Sequence, residues 1–159
     1  MTDEFDLTLA DGHRLHVYDT GEPDGGAELA VFWHHGTPNI GAPPTPLFRA
    51  SGRLGIRWVS VDRPGYGSST PATDRTIGSV AALVERVADH LEIERFAVMG
   101  HSGGGPHALA CAALLPDRVV GAVGIASLAP YGSEGLDYFA GMAPSGAASL
   151  RASAAGRVE

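Results

Sequence analysis

Residues 100–104, Gly100-His101-Ser102-Gly103-Gly104, separate a short apolar run, Phe96-Ala97-Val98-Met99, from an almost wholly apolar stretch, Pro106 to Leu115, that ends at Pro116. The short run reads as a strand buried on both faces of a parallel sheet, and the longer one reads as a buried helix. The chain must therefore turn from strand to helix within a few residues. A serine in so tight a turn sits on strained backbone, with Gly100 and Gly104 relieving the crowding and the hydroxyl held out above the sheet. The helix that follows presents its N-terminus to that hydroxyl, a place that favours developing negative charge.

The same alternation of patterns runs along the rest of the chain. Phe5 to Leu9 and Arg14 to Tyr18 alternate around an Asp11-Gly12 turn, which predicts a β-hairpin. Leu29 to Trp33 and Ile56 to Val61 read as buried strands, with a short helix near Leu47 to Leu54 between them. Ile77, Val80, Ala81, Val84, Val87, Ala88 and Leu91 recur at three- and four-residue intervals, the mark of an amphipathic helix laid on a sheet. Val119 to Ile125 forms a further strand. With right-handed crossovers this order predicts an α/β fold: a doubly wound, mostly parallel sheet with an N-terminal antiparallel hairpin. Residues 1–127 are expected to form this core. Residues 128–159 are expected to begin a cap region and, from Ser145, to run into a weakly ordered tail.

Three motifs stand where predicted strands end, which is where ligands bind in open α/β sheets. They are His34-His35-Gly36-Thr37-Pro38, Asp62-Arg63-Pro64-Gly65-Tyr66-Gly67 and the Ser102 turn. In that order, from about Phe5 to Ser127, they resemble the N-terminal part of the α/β-hydrolase fold superfamily, in its serine esterase, proline-iminopeptidase and C–C hydrolase branch. The resemblance implies that Ser102 is the nucleophile of an elbow and forms an acyl-enzyme with a carboxylic ester or amide. It implies that the backbone N–H groups of Thr37 and Gly103 form the oxyanion hole, supported by His35, Gly36, Gly100 and Gly104. His35 is expected to shape its loop, and Asp62 and Arg63 to brace a turn beside it. C–C bond hydrolysis and perhydrolysis stay open. A serine elbow argues against relatives whose elbow carries Asp, the haloalkane dehalogenases and epoxide hydrolases. No metal or organic cofactor is implied.

The resembling family completes its triad with an acid and a histidine on later loops. Here no histidine follows His107, and the acids after the last predicted strand are Glu134, Asp137 and Glu159. The resemblance therefore implies a core lacking its C-terminal strands, truncated before the acid and base. Val119 to Ile125 would be left as an apolar edge. A C-terminal half or a second copy is expected to complete the sheet, and the chain alone is expected to be inactive. The alternative is a non-catalytic binding or interaction module that keeps the elbow and the pocket.

Composition narrows the partners. Eleven Lys and Arg against eighteen Asp and Glu give a net charge of −7, with the arginines scattered, which argues against nucleic acid. No apolar stretch is long enough for a membrane span. An acidic N-terminus and a single cysteine, Cys111, fit a cytoplasmic setting. Trp33, Leu128, Tyr131, Tyr138, Phe139 and Met142 are candidates for an apolar pocket wall or cap. Because Arg63 is the only cation within the motifs, small or medium neutral esters are expected to be preferred over charged ones. His101 is read as a packing residue, His107 as a satisfied core residue, and His13, His16 and His90 as surface groups.

Overall fold

The computed structural model describes residues 2–23 and 25–156. The first of two compact units, ending at Leu128, holds a six-stranded sheet. Strands β1 (Asp3–Thr8) and β2 (Arg14–Asp19) form the antiparallel hairpin around Gly12. Strand β2 then pairs antiparallel with β4 (Ile56–Val61), and β4, β3 (Leu29–His34), β5 (Phe96–His101) and β6 (Val119–Ile125) run parallel. Helices α1 (Phe48–Arg53), α2 (Ser79–His90) and α3 (Gly105–Leu114) connect them.

The sheet order is β1-β2-β4-β3-β5-β6. From β3 the chain moves to one side, to β4; from β5 it moves to the other, to β6. Strands β3 and β5 are therefore neighbours whose connections diverge. This is the topological switch point at which open α/β sheets form a crevice beyond their C-terminal ends. His34 is paired with Gly100 in the register, so the loop after β3 and the turn after β5 leave the sheet side by side.

Leu15, Val17, Phe32, Val59, Phe96 and Val98 from the sheet pack with Val80, Val84, Val87, Ala108 and Cys111 from the helices. Phe32 and Phe96 meet across β3 and β5 with ring centres 4.7 Å apart and planes tilted by 55°. Helix α2 begins at Ser79, later than the apolar spacing suggests. Ser79 Oγ accepts from the Thr76 N–H and Thr76 Oγ1 accepts from the Ser79 N–H, both at 3.0 Å, a reciprocal pair of bonds across the turn that leads into the helix. Ile77 consequently stands outside the helix and is 52% exposed rather than part of its buried face. Strand β6 is the last of the sheet, and all its residues after Val119 are exposed.

The second unit, from Ala129, contains α4 (Pro144–Ala155). The helix falls on the segment from Ser145 that was expected to be a weakly ordered tail. The segment is rich in alanine, the best helix former, and starts on a proline that suits the first helical turn. Arg157, Val158 and Glu159 lie outside the described residues. No described helix is long and apolar enough to cross a membrane.

Three histidines are held neutral by the core. Burial pushes His34 down to about 3, helped by the positive charge of Arg63. Burial likewise lowers His35 and His107 to about 4, again with Arg63 contributing. His16 is a correction to the surface reading. Its side chain is only 14% exposed, and its ring bonds Asp6 at 2.7 Å and Glu4 at 3.3 Å. Burial opposes its charge, but those two carboxylates leave its pKa raised.

Two outcomes follow. Phe96→Ala should cost about 3–5 kcal/mol in denaturant unfolding, whereas Leu109→Ala, at an exposed position of α3, should stay within about 0.5 kcal/mol. Once unfolded, His34, His35 and His107 protonate near their ordinary pKa of about 6.5. Between about pH 6.5 and 4 the unfolded chain thus binds more protons, so their contribution to stability is lost as pH falls through that window. His16 acts in the opposite sense, stabilising below its unfolded pKa and losing this as pH rises through its folded one. With three groups against one, the urea midpoint should drop between about pH 7 and pH 4.5. A flat or rising midpoint would refute the neutral assignment.

Candidate active site

Strand β5 delivers His101 in extended backbone, and Ser102 then turns to φ +51°, a left-handed conformation uncommon for a residue with a side chain. Residues 102–104 form a single 3-10 turn and α3 starts at Gly105. Two glycines make this path sterically possible. A Cβ at residue 100 would collide with the Gly104 carbonyl and fall 2.8 Å from the Gly105 Cα. One at residue 104 would collide with the His34 carbonyl and fall 2.7 Å from the His35 oxygen. The elbow is thus pressed against the loop after β3.

That loop reciprocates. A Cβ on Gly36 would lie 3.4 Å from the Ser102 Cβ, and one on Gly103 would lie 3.0 Å from Thr37 Oγ1 and 3.6 Å from the Thr37 nitrogen. Thr37, Gly36, Ser102 and Gly103 therefore share one small region at the switch point. The Thr37–Pro38 peptide bond is cis.

The loop after β3 is held from behind. His35 is 1% exposed; its Nδ1 donates to the Gly36 carbonyl at 2.8 Å, and its Nε2 accepts from the Arg63 N–H at 3.2 Å. These partners require the neutral ring with its proton on Nδ1. Arg63 also donates from Nη1 to the His35 carbonyl. Asp62, fully buried, accepts from the N–H groups of Gly41 at 2.6 Å and Ser68 at 2.8 Å and from the Tyr18 hydroxyl at 3.3 Å. It ties the turn after β4 both to the loop beyond Pro38 and to β2.

No histidine is hydrogen-bonded to the Ser102 hydroxyl among the described residues. His34 Nε2 lies 3.7 Å from Cys111 Sγ, and burial raises that thiol to about 12. His101 stacks on Trp33, ring centres 6.5 Å apart and nearly parallel. His107 differs from the core reading: it is half-buried, with Nδ1 at 3.2 Å from the Ile77 carbonyl, and faces a cavity. No cluster of three or more metal-ligating side chains occurs among the described residues.

The cavity, about 260 Å³, is lined by Thr37, Arg63, Tyr66, Arg75, Thr76, Ile77, Gly103 and His107. Two of its walls, Thr37 and Gly103, also stand beside the serine turn. Trp33 does not line it; that ring lies edge-on to Trp58, 6.4 Å between centres. Leu128 closes the first unit. Tyr131, Tyr138 and Phe139 pack on one another within the second unit at 5.1–6.1 Å, with Arg151 over Phe139, and Met142 caps the turn beginning at Phe139. Sequence reasoning missed Tyr66, Arg75 and His107 as cavity walls. Tyr66 lies inside a quoted motif and could have been found; Arg75 lies in an irregular stretch with no signal.

Comparison with known proteins identifies the family of the chain. The chain is 36% identical over 156 residues to a 2-hydroxy-6-oxononadienedioate/2-hydroxy-6-oxononatrienedioate hydrolase of Cupriavidus pinatubonensis, covering 86% of the chain and 51% of that protein. It is 33% identical over 120 residues to a proline iminopeptidase of Neisseria meningitidis, covering 74% of the chain and 37% of the relative. A thioesterase domain from the curacin biosynthetic pathway superposes with a TM-score of 0.70 at 22% identity, over 84% of this chain and 49% of that one. The chain spans about half, or less, of the length of these relatives. Residues 30–157 match the alpha/beta hydrolase fold family, and the chain belongs to that family.

Proposed function

We propose that this chain carries the nucleophile part of a serine hydrolase that cleaves a carboxylic ester or amide through an acyl-enzyme on Ser102. The observation that carries the reading is the φ of +51° at Ser102, between β5 and α3, with Gly36 against its Cβ. Strain of this kind, about 1–3 kcal/mol, persists only where the surroundings enforce it, and here Gly100 and Gly104 are packed so that no other path fits. Attack by Ser102 Oγ on the substrate carbonyl forms the C–O bond of a tetrahedral intermediate. The Thr37 and Gly103 N–H groups stabilise its oxyanion, each worth about 3 kcal/mol by analogy with other oxyanion holes. Collapse expels the alcohol or amine, and water then releases the acid.

The base that takes the serine proton lies, in this reading, outside residues 1–159. His34 and His35 are buried neutral structural rings, and both ring nitrogens of His35 are engaged. His107 is held near 4 and bonded to Ile77. A histidine and an acid from a C-terminal half complete the triad, and that half or a second copy extends the sheet at β6.

The test compares residues 1–159 alone with the protein containing its C-terminal half, using an activated aryl ester. The chain alone should turn over negligibly, since general-base assistance is worth about 10²–10⁴ in rate. The longer protein should be active, and Ser102→Ala should abolish its activity. A normal enzymatic rate from residues 1–159 that is lost on His107→Ala would show that the base lies within this chain. A folded longer protein with no turnover and no reaction of Ser102 with a fluorophosphonate would favour the non-catalytic module.

A further inference from the structure

The cavity beside Thr37 and Gly103 is cationic, although the sequence led to an expectation of an apolar, charge-avoiding pocket. Arg63 is 2% exposed, yet among the described residues it forms no ion pair with a carboxylate, and neither does Arg75. A buried guanidinium without a counter-charge is costly, and its retention calls for a compensating group. One edge of Arg63 is satisfied by the His35 carbonyl. Arg63 is also one of the residues that line the cavity. Arg75 joins it from the segment before α2, so the two guanidinium groups flank the ring of Tyr66, 5.1 and 5.3 Å from its centre. The Tyr66 hydroxyl lies 3.1 Å from Thr37 Oγ1. Burial alone would raise the Tyr66 phenol, but hydrogen bonds to Thr37 and Arg75 and the charge of Arg63 bring it below its ordinary value. The same positive field contributes to holding His107 neutral.

We infer that this cavity is a substrate subsite for an oxyanion group, a carboxylate or a phosphate monoester, held by Arg63 and Arg75 with the Tyr66 hydroxyl. The assignment rests on the Ser102 reading for its place in a substrate, because Thr37 and Gly103 line both the cavity and the serine turn. Guanidinium groups suit such ligands because their planar N–H forks match two oxygens at once, and the charge of the ligand supplies the missing counter-ion. The preferred substrates are then anionic esters or amides, which reverses the preference expected from the motifs. What the motifs concealed is Arg75, which enters the site only through the fold.

Calorimetric titration of the full-length protein with benzoate, phenyl phosphate and benzamide tests this without turnover. At least one anion should bind about tenfold or more tighter than benzamide, and whichever binds tighter identifies the oxyanion. Arg75 is exposed, so Arg75→Gln should fold normally and weaken anion binding about tenfold, the scale of about 1.4 kcal/mol for one charge-assisted contact. Arg75→Lys should retain part of the affinity. Equal binding of anions and benzamide, or anion affinity unchanged by Arg75→Gln, would overturn the inference. Fluorophosphonate labelling of Ser102 in the same preparation is read separately. Labelling without anion binding sinks this subsite alone; anion binding without labelling sinks the serine-hydrolase reading.

Discussion

The contact on which the rest of this structure depends is the close approach of the loop after β3 to the turn after β5. Neighbouring strands whose connections diverge leave a crevice, but a crevice becomes a reaction site only if two backbones can meet in it. Glycine at 100 and 104 lets the elbow fold back under Ser102 against the carbonyls of His34 and His35. Glycine at 36 and 103 lets the two loops stand within van der Waals distance above it. A side chain at residue 104 would push the elbow away from the loop after β3, and one at residue 100 would break the elbow's own turn against Gly104 and Gly105. In an acyl-transfer site a displacement of about 1 Å is already expensive in rate.

Holding that contact falls to the buried residues behind the loop. Asp62 gathers two backbone N–H groups and a tyrosine hydroxyl at a buried position, fixing the turn after β4. Arg63 carries that rigidity to His35 through both its backbone and its guanidinium. His35 passes it to Gly36. The neutral, Nδ1-protonated ring is essential to this chain of bonds, because a second proton on Nε2 would displace the Arg63 N–H. Burial and the adjacent guanidinium both work against that proton. The pH sensitivity of the fold and the precision of the loop thus have one physical origin. The remaining guanidinium charge, unmatched by any described carboxylate, makes the neighbouring cavity receptive to an anion.

Much of this was legible in the sequence. Each strand of the sheet announced itself as a short apolar or alternating run, and the serine turn was bounded on both sides by continuous apolar runs, one of strand length and one of helix length. The bracing role of Asp62 and His35 followed from the motifs. What the sequence could not show were relations set by three-dimensional proximity. Arg75 lies twelve residues after Arg63 in a stretch without periodicity, and only the course of the chain from Gly67 to Ser79 brings it back over Tyr66. His107 was one turn into an apolar helix, yet its position just below the elbow turns it toward the cavity. His16 alternates correctly for its strand, but its pairing with Glu4 and Asp6 depends on hairpin register. Helix α4 lacks apolar periodicity and forms on alanine propensity, a weaker signal than patterning.

The central claim is that Thr37, Ser102 and Gly103 act on one tetrahedral centre. A crystal structure of the protein after reaction with an aryl dialkyl phosphate, whose phosphorus mimics that centre, measures this directly. The account predicts phosphorus bonded to Ser102 Oγ, with one phosphoryl oxygen accepting from both the Thr37 and Gly103 N–H groups at about 2.7–3.1 Å. An adduct on another residue, or a phosphoryl oxygen turned away from these two donors while Ser102 keeps its left-handed backbone, would contradict it.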